Sequence, residues 1–141
     1  SHAPDLSVVV VNFQSATYAL GLVDTVLRDR FEVDGRRGRV EITIVDNASR
    51  GDDVARLSAA VRPGVRLIRN TENAGYALAN NQGFRVSSGR FHMVVNPDVR
   101  IPAGTMGSTA SASGSPNRQL NSTTHGVPSG AIIRPAYRMP R

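Results

Sequence analysis

Phe91–Asp98, with the sequence FHMVVNPD, is a short apolar run that stops at a proline. Proline fixes φ and has no backbone N–H, so a strand over Phe91–Val95 cannot continue through Pro97. A carboxylate, Asp98, therefore follows the carboxyl end of this strand. In open α/β sheets, ligands bind at the carboxyl ends of the strands. The stretch predicts a binding edge of a sheet, with Asp98 as a candidate ligand-binding residue.

The chain before Phe91 alternates strands with helices. The β-branched runs Leu6–Val11 and Val40–Val45 are typical of strands buried on both faces of a parallel sheet. Val65–Arg69 is a third strand, and helices are predicted over Ala16–Arg28, residues 54–61 and Tyr76–Ser87. This order predicts an α/β fold, a Rossmann-like and mostly parallel sheet with helices on both faces.

The connections carry turn and capping residues. Ser15 is a predicted N-cap of the first helix, and Asp52 or Asp53 of the second, because their side chains can accept a hydrogen bond from a free helical N–H. Phe31–Gly38 is polar, contains two glycines, and is predicted to be a loop. Asn70–Gly75 is predicted to be the polar loop before the third helix.

The composition changes after residue 105. Glycine, serine, threonine, proline and asparagine dominate residues 106–141, which predicts a low-complexity, disordered tail without strand or helix. Ala131–Ile133 is an apolar patch too short to hold a domain. The tail could be a linker, a non-native extension or a flexible end. We therefore expect one folded domain over residues 1–105 and a tail over residues 106–141.

Charge and composition argue against several classes of protein. The net charge is +6 and every basic residue is arginine, but residues 106–141 contain four arginines and no acid. Because the predicted domain is nearly neutral and aromatic residues are few, nucleic-acid binding is disfavoured. There is no cysteine, no secretion signal and no apolar run of the roughly 20 residues that a membrane span needs. A cytoplasmic protein is the expectation.

Two carboxylates and a set of amides could carry chemistry. Asp46 and Asp98 both follow predicted strands, so one could accept hydrogen bonds from a base or ribose and the other could bind a divalent cation. Either could instead cap the next turn. The amides and the glycine of the loop and third helix could bind a nucleobase or phosphate, or could be exposed to solvent: Asn73, Gly75, Asn80 and Asn81. No glycine fingerprint, P-loop or nucleophile elbow is present.

Four segments together resemble the amino-terminal half of a family-2 glycosyltransferase with the GT-A fold, in its rhamnosyltransferase-like branch. In order they are SVVVVNFQS at residues 7–15, VEITIVDNAS at 40–49, VRLIRNTENAGYALANNQGF at 65–84 and FHMVVNPDVRIPAG at 91–104. The resemblance covers residues 6 to 105. Each motif is weak alone, but their order is specific.

The resemblance implies roles for individual residues. The turn after the first strand would line the nucleoside site, and Asp46 would accept a hydrogen bond from a pyrimidine ring. Asn96 and Asp98 match the D-x-D position in its N-P-D form, so Asp98 would bind Mg²⁺ or Mn²⁺ and, through it, the donor diphosphate. The implied nucleotide-binding residues are Val11, Asn12, Phe13, Asp46, Asn73, Gly75, Asn80 and Asn81.

The resemblance implies a metal-dependent, inverting transfer of a sugar to a polysaccharide or glycolipid acceptor, with dTDP-rhamnose as one candidate donor. The reaction would take place in the cytoplasm, with the inner face of the membrane as a candidate location, and the chain could form homo-oligomers. The family's general base lies downstream of the D-x-D position, and this chain has no Asp or Glu after Asp98. We therefore expect weak or no activity from these residues alone. The alternatives are a non-catalytic nucleotide-binding module that needs a partner chain, and a basic interaction protein acting through its tail.

Overall fold

The computed structural model describes residues 3–29 and 32–97, and the backbone of residues 131–135. The strands are β1 (Leu6–Asn12), β2 (Glu32–Val33), β3 (Arg36–Arg37), β4 (Val40–Asn47), β5 (Val65–Asn70), β6 (Phe91–Val95) and β7 (Ala131–Pro135). The helices are α1 (Ala16–Arg28), α2 (Asp53–Ala59) and α3 (Tyr76–Val86).

The main sheet has the strand order β5-β4-β1-β6-β7. The first four strands in this order are mutually parallel, and β7 pairs antiparallel with β6. β1 thus lies between β4 and β6, and every one of its residues is buried. The predicted mostly parallel α/β sheet is confirmed, and the carboxyl ends of its four parallel strands share one edge.

Two apolar layers cover the faces of this sheet. On one face, Val8 and Val10 of β1 pack in a core with buried residues of α1 and with Leu57 of α2. On the other face, Val9 and Val11 pack with Ala79 of α3. Side chains alternate between faces along a strand, which explains why an unbroken valine run suits the central position.

The polar segment predicted to be a loop contains a small hairpin. β2 and β3 pair antiparallel around Asp34 and Gly35, which both have positive φ, at 52° and 73°. A type I′ hairpin turn requires positive φ at both central residues, and Asp-Gly is a preferred pair there. The loop prediction is therefore wrong for residues 32–33 and 36–37, and the Asp-Gly pair was the signal for the hairpin turn between them.

β7 is a second departure from expectation. Its register places Met93 of β6 opposite Ile133, so the sheet continues into the segment predicted to be a tail. The prediction of no strand in residues 106–141 is wrong for residues 131–135, because backbone pairing to a preformed strand edge can order a segment too short to fold alone. The rest of the predicted tail lies outside the described residues.

Candidate functional site

A cavity of about 420 Å³ opens at the carboxyl edge of the sheet. Its walls come from the ends of the parallel strands and the turns after them. The lining residues are Val11, Phe13, Ser15, Asn47, Asn73, Tyr76, Asn96 and Pro97. Among these described residues none has a charged side chain, so the cavity offers apolar surface, aromatic rings and amide groups rather than a fixed charge.

The turn after β1 is held by the turn after β4. The backbone N–H of Gln14 donates to Ser49 Oγ at 2.9 Å. The Gln14 amide, oriented to satisfy both partners, donates to the Arg50 carbonyl at 3.2 Å and accepts from the Arg50 N–H at 2.8 Å. The Ser15 hydroxyl donates to the Phe13 carbonyl at 3.0 Å. These contacts fix the backbone of Phe13 while its side chain stays half-exposed in the cavity.

A buried polar cluster lies beneath this turn. The Asn12 amide nitrogen is 2.9 Å from Asp46 Oδ1 and 3.3 Å from both Ser49 Oγ and Asp53 Oδ2. Asp46 Oδ2 accepts from the Ser49 N–H at 3.0 Å. An amide nitrogen has two hydrogens, so three acceptors share them. The cluster ties the ends of β1 and β4 to the start of α2.

Asp53 caps a helix that it does not belong to. Its Oδ2 atom accepts from the backbone N–H of Ala16, the first residue of α1, at 3.2 Å. Ser15 occupies the N-cap position of α1, as predicted, but makes no side-chain cap hydrogen bond. Asp52 likewise occupies the N-cap position of α2 without a side-chain bond. The expected capping by these side chains is wrong, because the Ser15 hydroxyl bonds locally and a buried carboxylate reaches the same helix end.

The loop before α3 is fixed by the last residue of β4. Asn47 Oδ1 accepts from the Asn70 amide at 3.0 Å and from the Ala74 N–H at 3.2 Å. Its amide nitrogen donates to the Gly75 carbonyl at 3.2 Å. Asn70 and Gln82 exchange two amide hydrogen bonds, of 2.7 and 2.9 Å, which anchor the loop to α3. These hydrogen bonds hold the loop that forms one wall of the cavity.

The structure separates the predicted nucleotide-binding residues into those at the cavity and those elsewhere. Val11, Phe13 and Asn73 line it, as does Asn96 of the predicted diphosphate position. Asn12 and Asp46 lie fully buried beneath it, and Gly75 occupies the N-cap position of α3 with a φ of 81°. Asn80 is buried with an unpartnered Oδ1 atom, and Asn81 is exposed; neither is a lining residue. Asp98 lies outside the described residues.

Four lining residues were not among the predicted site residues: Ser15, Asn47, Tyr76 and Pro97. Asp46 was the predicted site residue at the end of this strand, and Asn47 directly follows it. Because side chains alternate along a strand, Asp46 and Asn47 point in different directions. Tyr76 is the first residue of α3 and is half-exposed. A large aromatic residue directly after the glycine of a polar loop was the available signal.

No group of three or more His, Cys, Asp or Glu side chains in the described residues could hold a metal ion. The described lining residues offer amide oxygens at Asn47, Asn73 and Asn96, but no carboxylate. Hard divalent cations are usually bound by at least one carboxylate. The described residues therefore do not form a metal site on their own, and the predicted metal ligand Asp98 falls outside them.

A family model, glycosyl transferase family 2, matches residues 7–124, which is most of the 141-residue chain. The chain belongs to glycosyl transferase family 2. The cavity of this family-2 chain lies at the strand edge that the FHMVVNPD stretch indicates. The rhamnosyltransferase-like branch is a finer assignment that the match does not address.

Two solved structures share the GT-A-like fold of this family-2 chain. A mannosyltransferase from Pyrobaculum calidifontis, PcManGT, in complex with GDP-Man and Mn²⁺, is 23% identical with a TM-score of 0.63, covering 79% of this chain and 32% of that one. TarS residues 1–349 from S. aureus are 21% identical with a TM-score of 0.62, covering 77% of this chain and 31% of that one. The family-2 chain thus spans about a third of each structure that it matches.

No curated protein sequence matches the chain significantly. In the described residues of this family-2 chain, no helix combines the length and the hydrophobicity that crossing a bilayer requires.

Proposed function

We propose that this chain binds the nucleotide part of a nucleotide-sugar donor in the cavity at the carboxyl edge of the sheet, for a glycosyl transfer reaction. The observation that carries the proposal is the position of this cavity in a family-2 chain, with Phe13, Asn73 and Asn96 among its lining residues. An uncharged cavity with half-exposed aromatic rings suits a nucleobase better than a diphosphate.

The residues beneath the cavity have a supporting role in this proposal. Asn12 and Asp46 are fully buried and hydrogen-bonded to one another, so they hold the turn that presents Phe13. Gly75 allows the loop to turn into α3, because its positive φ is a conformation that other residues adopt only with strain. The direct contacts would come from the side chains that line the cavity.

Transfer itself needs two further elements. As the acceptor oxygen bonds to the anomeric carbon, the bond to the leaving diphosphate breaks and a base takes the hydroxyl proton. A divalent cation, Mg²⁺ or Mn²⁺, would stabilise the charge on the leaving diphosphate, and we propose Asp98 as its ligand from the N-P-D motif. The structure of PcManGT contains both GDP-Man and Mn²⁺, which supports this part of the proposal by analogy.

The finer assignments are also proposals. The resemblance carried by the sequence motifs supports an inverting transfer of a hexose, with dTDP-rhamnose as the first donor to test and a polysaccharide or glycolipid as the acceptor class. No Asp or Glu follows Asp98 in the 141 residues. We therefore propose donor binding with weak or absent turnover for these residues alone, in the cytoplasm, with the inner face of the membrane as a candidate location.

A thermal-shift titration with dTDP, UDP and GDP, each with and without Mn²⁺, tests the proposal. A ligand at 100 times its Kd stabilises the folded protein by about 2.7 kcal/mol, which raises the melting temperature measurably. We expect a shift with at least one nucleotide, reduced in Phe13→Ala and unchanged in Tyr18→Ala, an exposed residue of α1 that is not a lining residue. A cooperative melting curve without a shift for any nucleotide would refute the proposal.

The same assay tests metal dependence by comparing the unmodified chain with the Asp98→Ala variant. If Asp98 binds the cation, Mn²⁺ increases the nucleotide-induced shift of the unmodified chain and does not increase that of Asp98→Ala. An equal effect of Mn²⁺ on both proteins would remove Asp98 from the proposed site without affecting the proposed base contacts.

A further inference from the structure

We infer that Tyr76 is a second aromatic wall of the cavity, so that the nucleobase is held between the rings of Phe13 and Tyr76. This inference rests on the proposed function and specifies how the same site recognises its ligand. Both side chains line the cavity and both are 50% exposed, although each is large and apolar.

The two rings come from different segments at the edge of the cavity. Phe13 follows β1 and Tyr76 follows the loop after β5, while β4 lies between these strands and ends at Asn47, another lining residue. Neighbouring strands are about 4.8 Å apart, so the ends of β1 and β5 are separated by about 10 Å. A planar base in van der Waals contact with a ring on each face needs about 7 to 8 Å between the rings. The two strand ends are thus far enough apart to admit one base between side chains that extend from the segments after them.

Hydrogen bonds hold the backbone next to each ring. Phe13 lies in the turn whose next residue, Gln14, is hydrogen-bonded to the Ser49–Arg50 segment. Tyr76 follows Gly75, whose N–H donates to Asn73 Oδ1 at 2.9 Å and whose carbonyl accepts from Asn47. Pre-organised contact residues lose little conformational freedom on binding. The polar contacts thus hold the backbones while leaving both rings free to contact a ligand.

Neither ring has an aromatic partner in the described part of the chain, where the stacked pair is Phe84 with His92 at 5.2 Å. Exposed aromatic surface that faces a shared cavity is a recognised mark of a ligand site. The lining contains no charged side chain, which favours an uncharged, planar group between the rings. The base of a nucleotide fits this description, whereas its diphosphate does not.

Fluorescence tests stacking at this position directly, because the chain contains no tryptophan. A Tyr76→Trp variant introduces a single indole into the cavity, and Tyr18→Trp introduces one on an exposed part of α1. We expect dTDP, UDP or GDP to quench the indole at position 76 but not the one at position 18. Inorganic pyrophosphate and ribose 5-phosphate, which lack a base, should quench neither.

Calorimetric titration with the same nucleotides measures the contribution to affinity. Stacking of one base on one aromatic side chain changes affinity by about tenfold or more, so Tyr76→Ala should raise Kd by about tenfold. Tyr76→Phe should stay within about twofold, because it keeps the ring. Leu78→Ala is the matched control, since Leu78 is also exposed on α3 and is not a lining residue.

The outcomes separate this inference from the proposed function. If nucleotides bind and Phe13→Ala weakens them, but Tyr76→Ala does not and the indole at 76 is not quenched, the second wall is refuted and the donor site stands. If no nucleotide binds the unmodified chain, the proposed function fails, and this inference fails with it. Tyr76→Leu, which keeps apolar bulk without a ring, should bind as weakly as Tyr76→Ala; binding equal to that of Tyr76→Phe would contradict stacking.

Discussion

At the residue scale, polar side chains near the cavity act mainly on the backbone of neighbouring turns. Asp46 lies in the predicted place at the end of a strand, yet it is fully buried, and both its carboxylate oxygens are hydrogen-bonded within the protein. A strand pattern identifies which end of the sheet a carboxylate reaches. It does not identify whether the side chain faces solvent or a neighbouring turn, because that depends on contacts between segments distant in sequence.

Asp53 offers a test of this supporting role. Asp53→Ala removes the acceptor for the Ala16 N–H and one acceptor for the Asn12 amide, both buried. Losing a helix cap and a buried hydrogen bond should lower the free energy of unfolding by about 1–2 kcal/mol in urea denaturation. Asp52→Ala is the adjacent control, exposed and without a cap bond, and should change stability by less than about 0.5 kcal/mol. Equal effects would contradict the assigned cap.

Asp5 predicts a dependence of stability on pH. The hydrogen bonds from Arg36, at 2.7 and 2.9 Å, hold the pKa of Asp5 below its ordinary value of 3.8, although burial opposes this. A lowered pKa in the folded state stabilises the protein above about pH 4, and that stabilisation is lost as the pH falls through the folded pKa.

The measurement is urea denaturation at pH 7 and pH 3. Arg36→Ala should reduce stability more at pH 7 than at pH 3, because part of its contribution depends on the ionised Asp5 carboxylate. Arg37→Ala, an exposed neighbour in β3, should show no such difference. A loss for Arg36→Ala that is the same at both pH values would be inconsistent with the ion pair.

At the element scale, the sequence predicts every strand of the parallel sheet and all three helices, with small differences at their ends. The reason is physical: buried parallel strands need continuous apolar runs, and covering helices need an apolar stripe, so both leave periodic patterns. The β2–β3 hairpin and β7 leave weaker patterns. β2 and β3 have two residues each, and β7 depends on an existing neighbour for its hydrogen bonds.

Two glycines in helices test how closely the helices pack against the sheet. A Cβ added at Gly83 of α3 would lie 2.4 Å from Val9 Cγ1 of β1, whereas one added at Gly21 of α1 would meet nothing within 4 Å. Gly83→Ala should therefore destabilise the protein by about 1–3 kcal/mol through overpacking. Gly21→Ala should stabilise it by about 0.5–1 kcal/mol through helix propensity. Melting curves that show the same sign for both would contradict the close packing of α3 on β1.

At the scale of the whole molecule, β7 changes what is expected of the sheet edge. Without it, β6 would have an unpaired edge, which favours self-association through strand pairing. The antiparallel pairing of β7 with β6 covers it along all five residues of β6. Backbone pairing between residues some forty positions apart has no periodic signature in sequence, which is why this feature escaped prediction.

Truncation tests whether β7 protects the edge. Deleting residues 131–141 removes β7, and the exposed β6 edge should increase the weight-average mass measured by light scattering at high protein concentration. Deleting residues 136–141 alone leaves β7 and should not change the mass. Unchanged mass in the longer deletion would show that β7 is not what limits association through β6.

The central claim is that a nucleotide occupies the cavity at the carboxyl edge of the sheet. The most direct measurement is a two-dimensional NMR titration of the labelled chain with dTDP, UDP and GDP, mapping amide shifts onto assigned residues. We predict that the largest shifts fall on the cavity residues Phe13, Asn47, Asn73, Tyr76 and Asn96, while Asp5 and Arg36 at the opposite end of the sheet do not move. Shifts centred on that opposite end, or none with any nucleotide, would contradict the account.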